Sequence, residues 1–291
     1  MNKLQLLLQS IRLPNLIMLA LVQFIVCQFY VQVYSFSFYF LLIFSTICIA
    51  LGGYLINDVY DLSIDQANDK DRWVNEKNIN KFKYFAVALF ILGLVLGLSA
   101  SLISSLNLFT AYVVAVLTLV LYAVFLSRYK LAGNLVVSAL IALSILLCFY
   151  LGVNHPEFDR KFYVFDELSV WVYAAIAFLL NWIREIVKDL EDVEGDRIGN
   201  RHTLPILIGQ SYTKGIVQIV LVFFLFIFIY LAIAYFQDRL FVIYIGGLII
   251  LTTLTMKRLY SASKSNAYHG ASLFIKVLML LGLLLPISSH L

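Results

Sequence analysis

Apolar runs of about twenty residues, broken by short polar stretches, set the rhythm of this chain. Nine of them lie near 15–33, 36–56, 83–103, 108–126, 133–153, 168–187, 214–236, 240–256 and 269–287. Each is continuous and long enough for a helix to cross a hydrocarbon core of ~30 Å. In lipid every backbone N–H and C=O needs a partner within the chain, so only helices or a closed barrel can span. The alternating segments of roughly ten residues that build a barrel are absent. The pattern predicts an all-α, polytopic membrane protein of nine transmembrane helices bundled around a central cavity. Its tightest boundaries are the turn at Tyr34–Ser35 and the link Phe236–Arg239.

Composition agrees with the pattern. Of 291 residues 62% are hydrophobic and 13% charged, whereas a soluble domain is nearer a quarter charged. Basic residues then set the orientation. With the N-terminus in the cytoplasm, Lys3, Arg12, Lys70, Arg72, Lys77, Lys81, Lys83, Arg128, Lys130, Arg184, Lys188, Arg197, Arg201, Lys214, Lys257, Arg258 and Lys264 fall on or near the inner side. Only Arg160, Lys161 and Arg239 fall outside, which predicts N-in and C-out. No leader is expected, because MNKLQLLLQSIRLPN runs into the first span without a small-residue cleavage site. Cys27, Cys48 and Cys148 lie in separate apolar runs and read as small buried hydrophobes. The chain reads as a single transmembrane domain over 1–291, with long cytoplasmic connections at 57–82 and 188–213. Membrane lipids are the expected surroundings, and no nucleic acid partner is expected.

Those two connections carry the candidate chemistry. NDVYDLSID places Asp58, Asp61 and Asp65 just after the second span, and KDLEDVEGD places Asp189, Asp192 and Asp196 just after the sixth. Both triplets share one spacing, which on a helix forms a single acidic stripe. A lone acidic cluster at a helix end is usually a solvated face. Two with matched spacing, after even-numbered spans and facing one compartment, form the pattern of a site. Like charges at these spacings repel unless a cation lies between them. Oxygen-only donors suit a hard ion such as Mg²⁺, which is commonly completed by phosphate oxygens. Arg184 with Lys188, and Lys70 with Arg72, add the basic half of a diphosphate clamp. A substrate with a diphosphate head and a long hydrocarbon tail fits an acidic mouth above an apolar bundle. A polyprenyl diphosphate has that form.

NDVYDLSID resembles the N-D-x-x-D-x-x-x-D signature of the UbiA superfamily of intramembrane prenyltransferases, and KDLEDVEGD resembles its second aspartate motif. Arg12 and Asn15, Gly133-Asn134 and Thr203-Leu204-Pro205 match as well, so the resemblance runs through essentially the whole chain. It implies metal ligation by Asp58, Asp61, Asp65, Asp192 and Asp196, with Asp189 also in the catalytic set. It implies substrate binding by Asn57, Asn68, Arg72, Lys188, Asn15, Tyr122, Arg128 and Lys130. The family's N-x-P-x-R-P segment is altered, since QANDKDRWV keeps Asn68 and Arg72 but carries Lys70 and Trp73 where prolines are usual. The tyrosine and lysine that often end span four are displaced, which puts Tyr122, Arg128 and Lys130 in doubt. The implied reaction is ionisation of an allylic diphosphate and capture of the carbocation in a dry cavity, with Tyr54, Phe149, Tyr150 and Trp182 as candidate shields.

REIVKDLEDVEGDR is most similar to the second motif of the digeranylgeranylglyceryl-phosphate synthase branch, which alkylates a glycerol-phosphate ether lipid. Aromatic acceptors, as in quinone or haem side-chain attachment, are the other reading. A transporter is the non-enzyme alternative, but it would place its charges near the midplane, and here the acids gather at one membrane face and the spans are nearly charge-free except for Lys276. That lysine is costly unless it faces a cavity or snorkels. Gly93 and Gly97 form a GxxxG that reads as close helix packing. The four histidines are scattered and take no metal role.

Overall fold

The computed structural model describes residues 11–28, 35–62, 66, 73–104, 106–126, 129–154 and 167–285. Short polar residues cut the apolar runs into helices. Pro14 sits in the first turn of α1 (Leu13–Val26), where a missing N–H breaks no helical bond. Ser35 Oγ accepts from Phe38 N at 3.4 Å and starts α2 (Phe36–Tyr60). After α3 (Ile79–Ser104), Asn107 Oδ1 accepts from Thr110 N at 3.3 Å and starts α4 (Leu108–Val124). α5 (Lys130–Val153) and α6 (Glu167–Glu191) follow, then two short helices, α7 (Val193–Ile198) and α8 (Leu204–Ile208). α9 (Gln210–Ala234), α10 (Arg239–Ser261) and α11 (Ser265–Gly282) complete the chain. Asp238 Oδ1 caps α10 by accepting from Phe241 N at 3.0 Å.

No strand occurs among the described residues. A helix lies at each predicted apolar run, and six of them, α2, α3, α5, α6, α9 and α10, are long and apolar enough to cross a membrane. α1 and α4, with 14 and 17 residues, are shorter, and α11 has 18. The helices are apolar outside as well as inside. Leu102, Ile219 and Ile243 are 75%, 70% and 71% exposed, a surface that suits hydrocarbon and not water.

The chain forms two compact units, Met1–Ala174 and Ala175–Leu291. In the first, α2 is the hub and packs on α1, α3 and α4. Glycines bring these helices close. A Cβ on Gly52 would lie 2.8 Å from the Phe90 ring, and one on Gly93 would lie 2.6 Å from Ile49. A Cβ on Gly97 would collide with Tyr112 of α4. Ser45 Oγ donates to Gly93 O at 2.7 Å across the same contact. In the second unit, side-chain donors reach across to backbone carbonyls. Gln218 Nε2 donates to Met256 O at 2.8 Å, and Tyr244 OH donates to Leu281 O at 2.6 Å.

Candidate active site

The first aspartate motif begins inside α2. Asn57 and Asp58 occupy its last turn, and Asp61 caps its C-terminus. All three are buried, Asp58 to 1% exposure. A buried carboxylate must be compensated. Arg12 does this from 46 residues away, with Nη2 3.1 Å from Asp58 Oδ1. Its backbone is left-handed, φ 50° and ψ 45°, immediately before α1. The guanidinium also lies over the Tyr54 ring, 4.7 Å from the centroid. Asn57 Nδ2 donates to Asp61 Oδ2 at 2.9 Å, which fixes the amide, while Asn57 Oδ1 is buried with no hydrogen-bond partner. Asn15 N donates to Arg12 O at 2.8 Å in the turn that presents the arginine.

Tyr54, one turn before Asp58, also lines a cavity of about 600 Å³. Thr46, Ile49, Ala50 and Tyr54 of α2 form one wall, and α4 and α5 form the others. Along α5 the lining runs from Val137 to Tyr150, ~20 Å at the helical rise. Nearly all of it is aliphatic or aromatic, and the volume suits a ligand site. Three of the four predicted shields, Tyr54, Phe149 and Tyr150, line this cavity. Trp182 does not; it lies in the second unit, its indole N–H buried and donating to nothing. Tyr122 packs against Gly133, where a Cβ would lie 2.6 Å from its ring. The glycine of the Gly133-Asn134 pair therefore makes room for the tyrosine, and Asn134 beside it is buried.

The second motif is built differently. Its spacing predicts a stripe on a helix, but α6 stops at Glu191 and α7 starts at Val193. Asp192 forms the joint, with φ −99° and ψ 8°. The joint keeps the stripe together, because Asp192 N donates to Lys188 O and Asp196 N to Asp192 O at 3.0 and 2.9 Å. Asp189, Asp192 and Asp196 are all buried, whereas Glu194 and Arg197 between and beyond them are exposed. Asn200, at φ 50°, turns the chain back on itself. Arg201 then donates its N–H to Asp196 O at 2.9 Å and places Nη1 3.6 Å from Asp196 Oδ1. Lys188 lies 4.0 Å from Glu185, which also accepts from Arg184 at 2.6 Å.

Asp65, Asn68, Arg72 and Arg128 lie outside the described residues, as does the side chain of Lys130. Among the described residues, no three His, Cys, Asp or Glu side chains form a group that would hold a metal. The donors at each motif are nevertheless all oxygen, and the orphaned Asn57 Oδ1 beside buried carboxylates fits a hard cation. Sequence reasoning did not assign Arg12 or Arg201 to the site. Arg12 entered only as a match at the start of span one. Arg201 carries one local signal, a basic residue five positions after Asp196.

The profile of the UbiA prenyltransferase family matches residues 18–281. The chain belongs to this family. One UbiA-family relative, a digeranylgeranylglyceryl phosphate synthase of Saccharolobus solfataricus, is 38% identical over 184 residues, 62% of this chain. The match spans 60% of that relative's length. A solved structure described as digeranylgeranylglyceryl phosphate synthase superposes with a TM-score of 0.68 at 26% identity, covering 100% of both chains. A UbiA homologue from Archaeoglobus fulgidus, bound to DMAPP and Mg²⁺, superposes with a TM-score of 0.61, covering 94% of this chain and 96% of its own. At 15% identity that last likeness concerns the fold alone.

Proposed function

We propose that this chain transfers a prenyl group from a polyprenyl diphosphate to the hydroxyl of a membrane-embedded glycerol-phosphate ether lipid. The observation that carries the reading is the step of one helical turn from Tyr54, on the wall of the apolar cavity, to buried Asp58. A tail site and a head site thus share one helix. The named activity of the Saccharolobus solfataricus relative supports the choice of acceptor.

In this reading the C1–O bond of the donor breaks and its electron pair leaves with the diphosphate. The acceptor hydroxyl oxygen bonds to C1 and gives up its proton, leaving an ether and free diphosphate. Mg²⁺, when bound, would neutralise the charge gathering on the leaving group. Asp58, Asp61, Asp65, Asp192 and Asp196 would hold it, with Asp189 beside them. The ion found in the Archaeoglobus fulgidus homologue supports Mg²⁺ as the metal. Arg72, Lys188, Arg128 and Lys130 would take diphosphate charge, and Asn15, Asn57, Asn68 and Tyr122 would orient it. Arg12 holds Asp58 in place, and the aromatic and aliphatic walls keep water from the reacting carbon. We assign nine crossings to the nine apolar runs, N-in and C-out, with both motifs on the cytoplasmic side.

Purified protein should join geranylgeranyl diphosphate to geranylgeranylglyceryl phosphate only when divalent metal is present. Product with 4-hydroxybenzoate and none with the lipid would replace the acceptor with an aromatic one. Uptake of a solute without turnover would overturn the enzyme reading. Impermeant thiol reagents should label a cysteine placed at Glu194 from the cytoplasm, and one placed at Glu157 from outside.

A further inference from the structure

In the second unit α6 and α11 run antiparallel in a constant register. A Cβ on Gly282 would lie 3.9 Å from Leu180, and His269 Nδ1 lies 3.0 Å from Glu191 Oε1. Between these two contacts Lys276 sits within electrostatic range of Arg184, Glu185 and Glu191. The seam therefore brings Arg184, Lys188 and Lys276 together with Glu185 and Glu191, the last also in contact with His269 at the rim.

Two cationic groups in this seam have donors to spare. Glu185 already serves Arg184 at 2.6 Å and Lys188 at 4.0 Å. Lys276 has no hydrogen bond or ion pair among the described residues. Arg184 is 7% exposed, and its Nε is buried without an acceptor. Lys276 lies eleven residues into α11, ~16 Å along the axis. A snorkelling lysine at that depth would turn towards headgroups or water, but this one faces another cation. Two cations with a spare buried donor between apolar helices describe half of an anion site.

We propose that Arg184 and Lys276 form a phosphate subsite that receives the phosphomonoester of the lipid acceptor. This rests on the glycerol-phosphate acceptor read above. The arginine offers a planar fork to phosphate oxygens, and the lysine adds a point charge. On sequence Arg184 is expected at the donor's diphosphate; it precedes Asp192 by eight residues, ~12 Å of helix, and the donor KM below separates the two assignments. The acceptor would thus be held by its phosphate about two helical turns before Asp192.

The test compares wild type, Lys276→Met and Lys276→Arg of the full chain in lipid nanodiscs. Lys276→Met removes a charge that makes no hydrogen bond among the described residues and should fold. Thermal shift without donor is read against geranylgeranylglyceryl phosphate, phosphate-free geranylgeranylglycerol and inorganic phosphate. The phosphorylated lipid should stabilise wild type and the arginine variant. The methionine variant should need about tenfold more, the size of one charge-assisted hydrogen bond. The phosphate-free lipid should not distinguish the three proteins. In turnover, Lys276→Met should raise KM for the phosphorylated acceptor and leave the donor KM unchanged.

Equal affinity of wild type and methionine variant for the phosphorylated lipid would overturn the subsite. So would a matching rise in donor KM, which would move the pair to the diphosphate. Inorganic phosphate protecting as well as the lipid would make this a free-anion site and end the acceptor assignment. If the phosphorylated lipid binds through Lys276 but no prenyl group is transferred, the proposed reaction falls and the subsite stands.

Discussion

The two aspartate motifs solve one electrostatic problem in opposite ways. Asp58 is buried in the last turn of a 25-residue helix and is met by Arg12, 46 residues earlier in the chain. Asp196 is equally buried but is met by Arg201, five residues later, through a turn at Asn200. The first motif therefore depends on the docking of α1 against α2. The second is closed within its own loop. A long-range clamp couples the site to the packing of the unit, whereas a local clamp folds with its turn.

The sharpest way to break this comparison is to remove a carboxylate from each side. Asp58→Ala and Asp192→Ala should each lower metal-dependent prenyl transfer by at least ~100-fold, since each withdraws charge stabilisation from the ionising step. Near-normal turnover in either would separate that motif from the chemistry. The arginines come next. Arg12→Ala and Arg201→Ala should each cost about 2–3 kcal/mol, the range for hydrogen bonds to charged groups. They should differ in where the loss appears. Hydrogen exchange should speed up through α1 in the first variant and only through α7 and α8 in the second. Unchanged exchange in α1 would refute the long-range clamp.

A smaller pair of effects should differ in sign. Gly97→Ala drives a methyl group into Tyr112 and should destabilise by about 1–3 kcal/mol. Gly246→Ala meets nothing within 4 Å and should stabilise α10 by roughly 0.5–1 kcal/mol through backbone entropy. Thermal unfolding in detergent reads both. A change of similar size is expected from Ser35→Ala, which removes the cap of α2 and costs about 1 kcal/mol.

The helices were legible because lipid leaves the backbone few choices. A run such as Phe36–Ile56 admits no water to satisfy its peptide groups, so continuous hydrophobicity alone marks it. Its boundary was legible too, in the serine at 35. The second acidic stripe was read from spacing, and Asp189, Asp192 and Asp196 are buried together; of the first, Asp58 and Asp61 are buried and Asp65 lies outside the described residues. Three features could not be read. The break at Asp192 falls in a sequence of good helix formers, where no Gly or Pro marks it. The Arg12–Asp58 pair spans 46 residues, and no periodicity links residues so far apart. The neighbours of Lys276 come from α6, nearly a hundred positions away, so no spacing names them.

The glycine pair of α3 bears on assembly. Gly93 is covered by Ile49 and the Ser45 carbonyl, and Gly97 by the Tyr112 ring, all from the same chain. Small-residue stripes of this kind often join one transmembrane helix to another copy of itself. Here the groove is already filled, so a neighbouring molecule would first have to expel Ile49 and Tyr112. Any dimer contact must form elsewhere on the lipid-facing surface.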